Sequence, residues 1–184
     1  VPDRVGRPGG KSADRPGQRP GIQGLYLHVP FCFHKCHYCD FYSIVEPKDK
    51  PDRQEAFTDA LIAELHHAAK THRLTPTTLF VGGGIPTLLA ADLWARLLDA
   101  LRNAGVLDQV SEFTVEANPE TVSAELMRVL AGGGVNRVSL GAQSFNMDQL
   151  KSLERWHDPE AVPKAVRLVR DAGIDNFNLD LMFG

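Results

Sequence analysis

The sequence predicts an α/β chain in which parallel strands, joined by crossover helices, build part of an open (β/α) barrel that is truncated after about five strands. Three observations predict it. Short β-like runs alternate with amphipathic helical stretches from residue 24 onward, four of the strands have one apolar and one polar face, and polar residues gather at the strands' C-terminal ends. Those ends carry the active sites of βα barrels.

The strands read as Leu25–Val29, Thr78–Val81, Glu112–Ala117, Arg137–Gln143 and Asn176–Phe183. Helical patterns fall near 53–73, 91–104, 123–131 and 158–172, which gives the order βαβαβαβαβ. Ser123 is placed to start one helix, and Gly132–Gly134 or Gly173 to end others. Ahead of this core, eight of the first twenty residues are Pro or Gly without hydrophobic periodicity, so residues 1–23 read as a disordered tail and 24–184 as the folded core.

Parity separates the two sheet faces. Leu25, Leu27 and Val29, Phe113 and Val115, Val138 and Leu140, and Phe177, Leu179 and Leu181 form the face expected to pack on helices. The opposite face presents Tyr26 and His28, Thr114, Glu116 and Asn118, Ser139, Gly141 and Gln143, and Asn178 and Asp180. Burying such groups unpaired costs about 1–3 kcal/mol each. The polar face is therefore expected either to line a lumen that holds a polar ligand or to bond within itself.

Composition removes several function classes. The net charge is −3, and outside residues 1–20 there are 15 basic and 21 acidic side chains, an acidic balance that argues against a general nucleic-acid binder. No apolar run is long enough for a membrane span and no hydrophobic leader is present, so a cytoplasmic location is expected. The start at Val1 and the end at Gly184 directly after an apolar run suggest a piece of a longer chain.

All three cysteines lie on one loop, at Cys32, Cys36 and Cys39, in a C-x3-C-x2-C spacing that can converge on one metal centre. Zinc would take a fourth ligand from His28, His34 or His37. A cubane iron–sulfur cluster would keep one iron without a protein ligand, open to a substrate that bears an amine and a carboxylate. Gly82–Gly83–Gly84 at the end of the second strand matches neither a dinucleotide fingerprint nor a phosphate-binding loop, yet permits close backbone approach to a ligand. Gly132–Gly134, at the opposite rim, reads as a structural helix end.

With Tyr38 before the last cysteine, the cysteine loop resembles that of the radical S-adenosylmethionine (SAM) enzymes. The strings Leu25–Cys32, Phe80–Gly84, Val115–Pro119, Ser139–Phe145 and Asn178–Gly184 resemble the HemN/HemW group in its order. The resemblance implies a radical SAM partial barrel with a [4Fe–4S] cluster on Cys32, Cys36 and Cys39 and SAM on the remaining iron. It further implies SAM contacts at Tyr26, Tyr38, Gly83, Gly84, Ile85, Glu116, Gln143, Arg155 and Asp180.

Two positions depart from the group. Ile85 replaces the usual threonine, and Phe41 stands where oxygen-independent coproporphyrinogen III dehydrogenases carry a further cysteine. Phe41 turns the resemblance toward the HemW branch, whose members are regarded as haem chaperones. That branch implies haem or a porphyrin, haem-acceptor proteins and an electron donor as partners. Coproporphyrinogen III oxidation, the enzymatic alternative, and a structural zinc domain stay open.

Overall fold

The chain runs β1 (Gly21–Val29), β2 (Phe31–Cys32), β3 (Ile44–Val45), α1 (Asp52–Thr71), β4 (Arg73–Gly83), α2 (Ala91–Asn103), β5 (Glu112–Ala117), α3 (Ala124–Gly132), β6 (Arg137–Gln143), α4 (Met147–Ser152), α5 (Ala161–Asp171) and β7 (Asn176–Leu181). This is a computed structural model that describes residues 21–45 and 52–183. The five long strands form one parallel sheet in the order β1-β4-β5-β6-β7, as the alternating pattern predicts. It is the sheet of a partial (β/α) barrel.

The largest departures from the sequence reading are at two strand starts, while β7 ends at Leu181, two residues before the expected Phe183. Residues 1–20 of the expected tail lie outside the described residues, but Gly21 and Ile22 belong to β1 and pair with Arg73 and Leu74. Strand β4 therefore starts five residues earlier than its apolar run. The register slips between Ile22 and Gly24, and Pro76, which has no N–H to donate, falls in the slipped stretch. Side-chain patterning gives no sign of such an extension, because main-chain pairing alone makes it.

One core lies between the sheet and the helices. Leu27, Val29, Leu79, Val81, Phe113, Val115, Val138 and Leu140 meet Leu97 and Leu101 of α2, Met127 and Leu130 of α3, and Val169 of α5. Trp94, fully buried in α2, donates its indole N–H to the carbonyl of Pro86 at 3.0 Å and so ties that helix to the segment after β4. Leu181 departs from its expected place on the helix-packed face: it is 54% exposed at the end of β7, the edge strand of the sheet.

The predicted caps are present. Ser123 Oγ accepts from the Leu126 N–H, and Gly134 and Gly173 have φ of +99° and +86° at the ends of α3 and α5. The short helix α4 escaped the sequence reading, although Asn146 signals it by accepting from the N–H groups of Asp148 and Gln149.

Gly84 fixes how β4 meets the segment after β1. A Cβ there would lie 2.5 Å from the Phe31 carbonyl oxygen and 2.7 Å from that of Pro30. Gly84→Ala is expected to lower stability by about 1–3 kcal/mol, since backbone cannot yield as a side chain does. Gly132→Ala, where a Cβ would meet nothing within 4 Å, should leave stability equal or higher. Urea unfolding midpoints of the two variants check the contrast.

Candidate functional site

The cysteine loop sits over the C-terminal ends of the strands. At its base, Gly84 donates its N–H to the Val29 carbonyl, Ile85 to Phe31 and Ile44 to Pro30, each at 2.7 Å. The N–H groups of Gly83, Gly84 and Ile85 are all taken up within the chain. Those of Gly84 and Ile85 dock the loop, and the Gly83 N–H donates to Glu116 Oε2 at 3.2 Å. The close approach that these glycines permit is therefore first to the chain's own backbone.

Beneath the loop, one cavity is lined by Cys32, Cys36, Tyr38 and Cys39, by Gly83, Gly84 and Ile85, and by Glu116, Gln143, Arg155 and Asp180. Every candidate site residue but Tyr26 is on its wall. Tyr26 lies lower on β1, half-exposed, with its ring stacked on Phe80 and its hydroxyl donating to His28 Nδ1 at 3.0 Å. Its phenol pKa is raised by burial and by the charge of Glu116.

The polar sheet face divides by depth. In the lower layers Arg137 donates to Thr114 and Asn178, and Asn178 Nδ2 reaches up to Ser139 Oγ and Asp180 Oδ1 on the cavity wall. These residues satisfy one another, the self-bonded reading. The upper layer opens to the cavity. Gly82 makes room there, since a Cβ would come 2.7 Å from Glu116 Oε2. Arg155 crosses β6 and donates to the carbonyl of Gly141 at 2.8 Å and to Asn118 Oδ1 at 3.2 Å.

Electrostatics follow from this placement. Burial pushes the Glu116 carboxyl up, Asp180 adds to the rise, and the Gly83 N–H pulls the other way. Burial likewise raises the Cys32 thiol; the Ser43 hydroxyl and Arg155 oppose it, while Cys36 and Cys39 reinforce it. Ser43 Oγ lies near Cys32 but outside hydrogen-bond geometry and has no partner among the described residues. Burial raises the Tyr38 phenol as well.

The three cysteines are unpaired and half-buried. None of the histidines offered as a fourth zinc ligand joins them. His28 uses Nε2 to donate to the Tyr42 carbonyl and Nδ1 to accept from Tyr26, whereas His34 Nε2 and His37 Nδ1 face Glu154 Oε2 at 2.9 and 3.4 Å. Among the described residues, no three His, Cys, Asp or Glu side chains are gathered for a single ion. Zinc needs its sulfurs within about 2.3 Å of one centre. The three thiols share one wall of the cavity.

Glu154 and Asn118 are contributors that sequence reasoning did not single out. Asn118 carried a signal in its strand-end parity; Glu154 carried none, since its role depends on a left-handed backbone (φ +52°) after α4. Burial, and then Arg155, lower the pKa of the buried His157 imidazole.

Residues 26–184 match the family model of the Radical SAM superfamily, and the chain belongs to that superfamily. It is 39% identical over 165 residues to the heme chaperone HemW of Bacillus subtilis, covering 89% of this chain and 43% of that protein. It is also 39% identical over 161 residues to HemW of Escherichia coli, covering 87% and 42%. Among solved structures, the coproporphyrinogen III oxidase HemN of Escherichia coli, a radical SAM enzyme, superposes with a TM-score of 0.76 at 28% identity, over 91% of this chain and 38% of that one. The chain spans less than half the length of these relatives. Among the described residues, no helix is long and apolar enough to cross a membrane.

A raised carboxyl pKa means that the folded state holds its proton longer than the unfolded state. Glu116 therefore lowers stability progressively as pH rises from about 4, its unfolded value, through its folded value. Glu116→Gln, which keeps an acceptor for Gly83, should remove that decline and be the more stable protein at neutral pH. Denaturant midpoints of both proteins between pH 4 and 8 check it.

Proposed function

We propose that this segment holds a [4Fe–4S] cluster on Cys32, Cys36 and Cys39 and binds SAM in the adjoining cavity, within a HemW-like protein that binds haem and passes it to acceptor proteins. The convergence of three unpaired thiols, the Gly83–Ile85 rim and the Glu116, Gln143, Arg155 and Asp180 side chains on one cavity carries this reading. When bound, the cluster supplies single-electron reduction and one iron that an amine and a carboxylate can chelate.

The chain's own residues bind and orient. Arg155 presents a guanidinium suited to a carboxylate, and its bond to Gly141 holds it across the cavity. Glu116 and Asp180 offer acceptors for ribose hydroxyls or an ammonium. Tyr38 supplies an aromatic wall beside the cysteines. Ile85 keeps its backbone at the rim but brings no hydroxyl, so any contact there is through the main chain. The Cys3His zinc alternative is weakened because its candidate histidines are engaged elsewhere.

The haem-chaperone role rests on the similarity to HemW and on Phe41, an exposed aromatic in place of a further cysteine. Coproporphyrinogen III oxidation, with an electron donor, is the second reading, favoured by the superposition on HemN. A cytoplasmic location goes with either.

Anaerobic reconstitution with iron and sulfide is expected to give a brown protein with about four irons per chain. Cys36→Ala should lose them. The full-length protein should bind haem with a shifted Soret band and leave coproporphyrinogen III unchanged. A colourless protein that holds one zinc would overturn the cluster reading, and decarboxylated porphyrinogen would replace the chaperone with the oxidase.

A further inference from the structure

Residues 33–41 form the free span of the cysteine loop, and their attachments are few. Among the described residues, every hydrogen bond from this span to the rest of the chain ends on Glu154. Its Oε2 accepts from His34 Nε2 at 2.9 Å and from the His37 backbone N–H at 3.0 Å, and its carbonyl faces Cys36 Sγ at 3.8 Å. The remaining hydrogen bond of the span, Cys39 N–H to the Cys36 carbonyl, is internal to it.

The backbone beneath this carboxylate is costly. Helix α4 ends in a Schellman arrangement, with Glu154 donating to the Lys151 carbonyl and Arg155 to that of Leu150. Glu154 thus occupies the left-handed position, φ +52°, that normally falls to glycine. The same turn sends Arg155 into the cavity and aims Glu154 at the loop. An acidic side chain at so unfavourable a position, accepting from both His34 and the His37 N–H, is placed for a purpose other than ending a helix.

We propose that Glu154 is a positioning residue, a clasp that holds the span bearing Cys36 over the cavity before any cluster is present. Its value for cluster retention rests on the cluster reading above; the clasp itself does not. The clasp also separates two jobs of one turn. Arg155 serves the cavity, and Glu154 serves the loop that roofs it.

The test uses the full chain with Glu154→Gly and Glu154→Gln. Glycine suits the left-handed backbone, so Glu154→Gly should keep or raise the melting temperature while removing the acceptor. In the metal-free protein, hydrogen–deuterium exchange at the His37 amide should quicken about tenfold or more in Glu154→Gly, with α5 and β6 unchanged. Glu154→Gln, whose amide oxygen can still accept, should restore most of the protection. After reconstitution, iron should pass to a chelator several-fold faster from Glu154→Gly than from the parent.

Exchange at His37 that stays within about twofold of the parent overturns the clasp. So does a Glu154→Gly protein that melts earlier and exchanges faster throughout, since that is a merely structural role. A parent protein that takes up no iron would remove the cluster reading alone, and the exchange arm would still decide the clasp.

Discussion

The contact on which this molecule depends is the approach of the β4 end to the backbone that leaves β1. Gly84 lies against the carbonyls of Pro30 and Phe31 with no room for a side chain, and its N–H reaches Val29. Phe31 is in turn buried against Phe57 of α1, with ring centroids 5.1 Å apart. The cysteine loop therefore begins from a fixed point. It also returns to it: Ile44 donates to Pro30, and β2 pairs with β3. A loop closed at its base by main chain keeps its side chains for other work, and three of those are thiols.

The sheet beneath is graded. Its lower polar layers are closed by their own hydrogen bonds, which lets Thr114 be fully buried at little cost. The upper layer is bonded less completely and is where small residues stand. Gly82 accommodates the Glu116 carboxylate, and Gly141, whose Cβ would come 3.3 Å from Arg155, accommodates the guanidinium. On the reading proposed above, a polar ligand would meet side chains that hydrogen bonds already orient, which lowers the ordering cost of binding.

Much of this was legible in the sequence, because strand parity is a local property. Alternation along β5, β6 and β7 separates helix-facing from lumen-facing residues without tertiary information, and it marks Glu116, Gln143 and Asp180. The C-x3-C-x2-C spacing marks the loop for the same reason. What stayed hidden depends on long-range contact. The extension of β4 to Arg73 is main-chain pairing with Gly21 and Ile22. The use of the glycine-loop N–H groups as a dock requires knowing that Val29 and Phe31 lie opposite. Glu154 reads as an ordinary charged residue until the left-handed turn after α4 aims it at a loop that precedes it by more than a hundred positions.

The charges of the upper layer are arranged asymmetrically. Glu116 and Asp180 share one side, where burial and their mutual repulsion raise the Glu116 pKa, and Arg155 stands on the other, held by neutral acceptors instead of a carboxylate. On the reading proposed above, a zwitterion would satisfy both sides, its cationic end at the carboxylates and its carboxylate at the guanidinium. By linkage such a ligand must lower the Glu116 pKa, so binding near that value releases a proton and strengthens as pH rises through it. The charge pattern of this lumen thus matches that of the ligand proposed for it.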